Sequence, residues 1–236
     1  MHRMTRLLVP AAFAIITLVP APAAAQQKET EVVDRTVAFP DKGTLRVRNF
    51  SGNVRITGTN GKDVVVKATR RAERERLDRI KLEVTTSGSM VTIDANKRDE
   101  NSRDRDQNVV ETELEIQVPA SATLDVDVFS SQVTVAGISG RQRVKTFSGR
   151  IDVDATAAGP APEIDAETFS GDIAARVSEN AKADVQFSSF SGSFDSAVPV
   201  TLRSSSGRRD ISGSLGSGDG KTLRFKTFSG DVQVRR

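Results

Sequence analysis

Along the last stretch of the chain, Leu223 and Phe225 and then Val232 and Val234 alternate with charged or polar residues. That period of two belongs to strands with one buried face. The same arrangement recurs in LRVRNFSGNVRITG at 45–58, LDVDVFSSQVTVAG at 124–137 and QRVKTFSGRIDVDA at 142–155. It returns in IDAETFSGDIAARV at 164–177 and VQFSSFSGSFDSAV at 185–198, with a degenerate copy, TLRSSSGRRDISGS, at 201–214. The final copy is LRFKTFSGDVQVRR at 223–236. Motif phenylalanines at 129, 147, 169 and 190 are 18, 22 and 21 residues apart; Ser205 takes the next place, and Phe228 follows. A unit of about 20 residues buries its apolar face only by stacking on its neighbours. The pattern predicts an all-β, single-domain β-solenoid.

Each unit reads as two short strands around a corner. The apolar step is three between Val144 and Phe147, between Ala166 and Phe169, and between Phe225 and Phe228. If those phenylalanines point inward, the strand changes parity and must bend just before or within FSG. On that reading Phe50, Phe129, Phe147, Phe169, Phe190 and Phe228 form an internal ladder among buried valines and isoleucines, and Phe169→Asp buries an unpaired charge. Gly52, Gly149, Gly171, Gly192 and Gly230 supply either a positive φ or a close approach to the next coil. The serine before each glycine is placed to bond backbone groups at the bend.

Elsewhere, 63–71 and 80–95 read as strands, the second folding into a hairpin at Ser87–Gly88–Ser89, with a short helix around Ala72–Asp78 between them. Residues 96–108 contain no apolar side chain and read as a loop, 109–119 alternate again, and 155–163 read as an inter-coil loop. Residues 1–25 have Arg3 and Arg6, then an apolar run from Leu7 to Val19, then small residues at Ala23 and Ala25. This is the three-part pattern of a cleaved signal peptide. Residues 26–44 are a lead segment and 45–236 the repeat domain. No further apolar run is long enough to span a membrane.

Removing Arg3 and Arg6 from the 34 basic residues leaves 32 against 31 acidic ones, so the formal charge of +3 shrinks to +1. Such an interspersed surface gives no support for nucleic-acid binding. RRAERERLDR at 70–79 reads as a solvated face. There is no Cys, and the single His is His2, inside the signal. The mature chain therefore lacks the usual general base of a serine-hydrolase triad and the soft ligands of zinc or copper sites. Asp125, Asp127, Asp152 and Asp154 alternate along strands and do not form a calcium loop.

The series ELEIQVPASATLDVDVFSSQVTVAGISG, followed by FSG repeats, resembles the bacterial putative-adhesin family of β-strand-repeat proteins, also known as domain of unknown function 4097. The resemblance covers about residues 40–236 and rests on a strand ending in Val118-Pro119, a small-residue turn, and strand–turn–Gly-Asp–strand units. Gly171–Asp172 and Gly230–Asp231 match the Gly-Asp step; Gly149–Arg150, Gly192–Ser193 and Gly207–Arg208 depart from it, and Ser131 replaces a glycine. The resemblance implies an exported or surface-exposed β-helical domain with no catalytic residues to transfer.

The expectation is a non-enzymatic binding, adhesion-type or structural module of the periplasm or cell surface, without cofactor or metal. Its partner is an envelope protein or polysaccharide. Self-association through the solenoid ends is a further expectation, with the final copy as an open end guarded by Arg235 and Arg236. The alternative is a carbohydrate-active β-helix enzyme acting on an acidic polysaccharide, which could use the column three residues after each Phe: Asn53, Gln132, Arg150, Asp172, Ser193, Arg208 and Asp231.

Overall fold

The computed structural model describes residues 28–98, 109–158, 161–205, 207, 209–218 and 221–236. The signal segment lies outside them. In chain order the elements are β1 (Glu29–Ala38), β2 (Thr44–Ser51), β3 (Val54–Thr59), β4 (Asp63–Ala72), α1 (Arg74–Arg79), β5 (Ile80–Ser87), β6 (Met90–Arg98) and β7 (Glu111–Pro119). Then follow β8 (Thr123–Ser130), β9 (Val133–Ala136), β10 (Gln142–Ser148), β11 (Ile151–Asp154), β12 (Ile164–Ser170) and β13 (Ile173–Arg176). The last are β14 (Ala183–Ser191), β15 (Phe194–Ser196), β16 (Val200–Ser205), β17 (Asp210–Leu215), β18 (Thr222–Ser229) and β19 (Val232–Arg235).

The strands form two sheets, solenoid-like rather than a closed barrel. One runs β1-β4-β7-β3-β9-β11-β13-β19-β15 and the other β16-β17-β14-β18-β12-β10-β8-β2-β6-β5. Each FSG unit places its first strand in the second sheet and, after the glycine corner, its second strand in the first. Successive units pair in parallel register: Val144 lies opposite Val126 on one side and Ala166 on the other. Alternate residues of both sheets point inward and make one core, including Leu45, Val126, Val144, Ile164, Phe225, Ile56, Val135, Ile151 and Val232. The lead segment contributes β1, which pairs antiparallel with β4 along its whole length. The β5–β6 hairpin turns at Gly88 with φ 57°, and α1 occupies the stretch read as helix. β6 continues to Arg98, into the stretch read as loop.

Two expectations are corrected. First, the phenylalanine ladder is not internal. The motif phenylalanines are 39% to 61% exposed, whereas Phe225 is fully buried. The inward alternation of β18 runs Leu223, Phe225, Thr227 without a parity change, which leaves Phe228 on the outer surface. The same holds for Thr146 beside Phe147 and Thr168 beside Phe169. At Thr146 and Thr168 the buried hydroxyl is satisfied by carbonyls of the corner, whereas Thr227 Oγ1 has no hydrogen-bond partner among the described residues. Thr146 Oγ1 donates to Phe129 O at 3.2 Å, and Asn49 Nδ2 donates to Thr112 O at 2.9 Å.

Second, the final copy is not the end of the stack. β18 lies between β12 and β14, and β19 between β13 and β15. The chain runs out to β14, covers its far side with the antiparallel β16–β17 hairpin, and returns to insert the last copy. Insertion sets Lys226 beside Glu167 at 3.3 Å and the bulky Phe225 opposite Ala166. Arg235 and Arg236 therefore do not guard an open edge. The sheet edges are β1 and β15 in one sheet and β16 and β5 in the other.

The corner glycines are fixed by close approach. At Gly171, φ is +146°, and a Cβ would stand 2.2 Å from Gly149 O. Gly171→Ala should therefore unfold the stack locally and lower the thermal midpoint markedly. Phe225→Ala should remove about 3–5 kcal/mol in urea unfolding. Phe169→Asp should remove only about 1–2 kcal/mol, through lost ring contacts, and leave a soluble folded domain.

Candidate binding face

In-register pairing turns each repeat position into a column running across the strands. On the outer face of the second sheet, the motif rings stack in the order Phe50, Phe129, Phe147, Phe169, Phe228, Phe190, with centroids 4.7–4.9 Å apart. That spacing is the strand separation itself, so the six rings form a ridge about 24 Å long. Because the rings are stacked face to face, their edges point outward. The outer face of the terminal ring, Phe190, has the Arg209 guanidinium 5.8 Å from its centroid.

A groove of about 810 Å³ runs beside the ridge. Its lining includes the rings, the strand positions next to them such as Thr146 and Thr168, and a charged column two residues before each Phe. Pairing orders that column Asp94, Arg48, Asp127, Lys145, Glu167, Lys226, Ser188. The column two residues further back reads Thr92, Arg46, Asp125, Arg143, Asp165, Arg224, Gln186. In both, sign alternates from coil to coil wherever a charge is present. Parallel in-register strands would otherwise set like charges side by side. Glu167 is the best-supported member: Lys145 Nζ lies 2.6 Å and Lys226 Nζ 3.3 Å from its carboxylate. The Lys145 hydrogen bond, followed by the attraction of both lysines, holds its carboxyl below the usual range against partial desolvation. Arg46 pairs with Asp125 at 2.9 Å.

The column after the glycine forms as a stack, but as a structural one. Asp172 Oδ1 accepts the Asp231 backbone N–H at 2.9 Å, and Asp231 Oδ1 accepts both the N–H and the hydroxyl of Ser193, at 2.9 and 2.7 Å. The Ser193 hydroxyl hydrogen bond, with that of its backbone, lowers the Asp231 carboxyl from its ordinary range. Each aspartate thus caps the next corner, which gives the Gly-Asp step a local backbone role. Arg208 lies outside the described residues. Asp125 and Asp127 sit on the outer face of one sheet, and Asp152 and Asp154 on the other, where Arg150 and Arg176 pair with them at 3.0 and 3.3 Å. These acids do not converge on one centre. Among the described residues no cluster of three or more His, Cys, Asp or Glu could hold a metal ion.

Of the sequence-predicted positions, the six phenylalanines come together in the ridge, and the five glycines lie at the corners beneath it. The charged columns were not anticipated; their signal was the alternation of sign between copies at a fixed offset from FSG.

A family model described as Toastrack DUF4097 matches residues 36–235. Among solved structures, a putative cell adhesion protein from Clostridium sporogenes is similar at 12% identity and a TM-score of 0.67, covering 88% of this chain and 99% of that one. A putative adhesin from Bacteroides fragilis matches at 10% identity and a TM-score of 0.32, covering 86% of this chain and 97% of that one. No curated protein matches.

The depressed Glu167 carboxyl favours the folded state above the ordinary value of 4.5, and that contribution is lost as pH falls below 4.5 through the folded value. Glu167→Gln should therefore destabilise the domain by about 0.5 kcal/mol at neutral pH, a figure reduced for solvent screening. In thermal melts the gap between wild type and variant should close as pH falls below 4.5. A gap that is constant across this range would remove the ion pair from the account.

Proposed function

The chain belongs to the Toastrack DUF4097 family, and from that premise we propose that it is a non-enzymatic, adhesion-type binding module of the cell envelope whose recognition surface is the phenylalanine ridge and its groove. The observation that carries this reading is the ridge itself. Six half-exposed aromatic side chains in one continuous strip are unusual on a protein surface and mark a contact site. The groove beside it is within the size range of binding clefts. The adhesin-like fold neighbour and the signal-type N-terminal sequence support an envelope or surface setting. Among the described residues no helix is long and apolar enough to cross a membrane.

Chemistry disfavours the acidic-polysaccharide enzyme. The stacked rings turn their faces to one another and not to a sugar. The alternating columns cancel over neighbouring coils, within a Debye length of about 8 Å, and present no sustained positive field. An apolar or mixed-charge macromolecular surface suits the face better than a polyanion does.

The test compares wild type with Phe147→Ser/Phe169→Ser in retention on isolated bacterial envelopes. The double variant should keep its fold by circular dichroism and bind at least about tenfold more weakly, as expected for loss of central aromatic anchors. Equal retention would refute the assignment of the ridge. Release of reducing ends from an acidic polysaccharide by the wild-type protein would support the enzyme instead.

A further inference from the structure

The charged columns beside the ridge have a symmetry property that bears on the partner. When two such faces meet with their stacks antiparallel, related by a two-fold axis lying parallel to the strands, each column meets its own copy in reverse order. With the axis between the coils of Asp127 and Lys145, Asp127 faces Lys145 of the copy, Arg48 faces Glu167 and Asp94 faces Lys226. In the second column, Asp125 then faces Arg143 and Arg46 faces Asp165. Shifting the register by one coil sets like charge against like wherever two charges of a column meet. Shifting by two leaves charges of the first column without partners or, in one direction, brings Asp94 onto Asp210, which pairs with Ser188 at the far end. One register alone matches all six charges of that column.

We infer that the partner of this face is a second copy of the same chain, seated ridge on ridge in that antiparallel register. The inference rests on the binding reading above and supplies its partner. Intramolecular pairing accounts for the alternation of sign, but not for an exposed aromatic strip alongside it. A two-fold contact uses both features, since an isologous interface must be complementary to itself. The ridge is about 24 Å long, and three columns about 6.6 Å apart give roughly 500 Å² per copy. The total of about 1,000 Å² lies at the lower bound for a specific interface, so the contact is weak and concentration-dependent.

The test uses two single variants, Asp127→Lys and Lys145→Glu, each checked for folding by circular dichroism. In sedimentation the wild-type protein should form a dimer whose dissociation constant rises with salt. Each variant alone sets like charges across the axis and should dimerise at least about tenfold more weakly. A mixture should form a 1:1 heterodimer with near wild-type affinity, because the lysine introduced in one variant then faces the glutamate introduced in the other. Intramolecular repair cannot produce that result, since the substitutions are on different molecules. Phe129→Ser/Phe147→Ser, with the charges intact, should also be monomeric and serves if a charge variant does not fold. A wild-type protein that stays monomeric at high concentration, or a mixture that gives no heterodimer, overturns the inference. If envelope retention still depends on Phe147 and Phe169 in that case, the binding reading stands and only the second copy is wrong. If it does not, both fall.

Discussion

Backbone hydrogen bonds between coils hold each repeat in parallel register with the next, Ser148 lying opposite Ser130 on one side and Ser170 on the other. The register continues around the corner, where Ile151 N–H donates to Asp172 O at 3.0 Å and Ile173 N–H to Asp231 O at 2.9 Å. A given repeat position therefore meets the same position of its neighbours at one strand spacing. Every side chain must be compatible with a near-copy of itself about 4.8 Å away.

Each column meets that condition by different physics. Inward positions fill one core with aliphatic side chains, and a large Phe225 is set opposite a small Ala166. Corner glycines let one coil's backbone approach the next coil's carbonyl. The charges of the two columns before the phenylalanines alternate in sign. The motif phenylalanines meet it by stacking, and because they stack outside the core, the constraint that stabilises the coils also builds an aromatic surface. On this view the candidate site is a by-product of registry that the outer face puts to use.

Much of this was legible in the chain. The repeats, the two-strand units, the Gly88 hairpin and the short helix near Leu77 follow from period, glycine and helix signals. The direction of the phenylalanines was not, because an apolar residue beside a buried strand is ordinarily expected to point inward. The threonine before Phe147, Phe169 and Phe228 held the contrary signal: continuing the alternation from Val144, Ala166 or Phe225 lands on it. A buried hydroxyl looks unfavourable in sequence; carbonyls of the adjacent corner accept from Thr146 and Thr168, while Thr227 Oγ1 stays without a hydrogen-bond partner among the described residues. The position of the last copy was hidden for another reason. Chain order usually gives stacking order, and nothing local in LRFKTFSGDVQVRR says that it inserts between two earlier copies. The sign of Arg224 and Lys226, opposite to Asp165 and Glu167, was the available hint.

The order of the coils determines which charges and rings are neighbours, so the most direct measurement is of that order. The chain has no Cys, and introduced pairs report without background. Asp165→Cys/Arg224→Cys places thiols on paired strands, whereas Asp165→Cys/Gln186→Cys places them two strands apart. A thiol crosslinker that spans one strand spacing but not two should join the first pair in the folded protein and leave the second open. Efficient joining of the second pair of thiols, with the first pair unreacted, would mean that the coils stack in chain order and that Arg224, Lys226 and Phe228 do not hold the places in the columns described for this face.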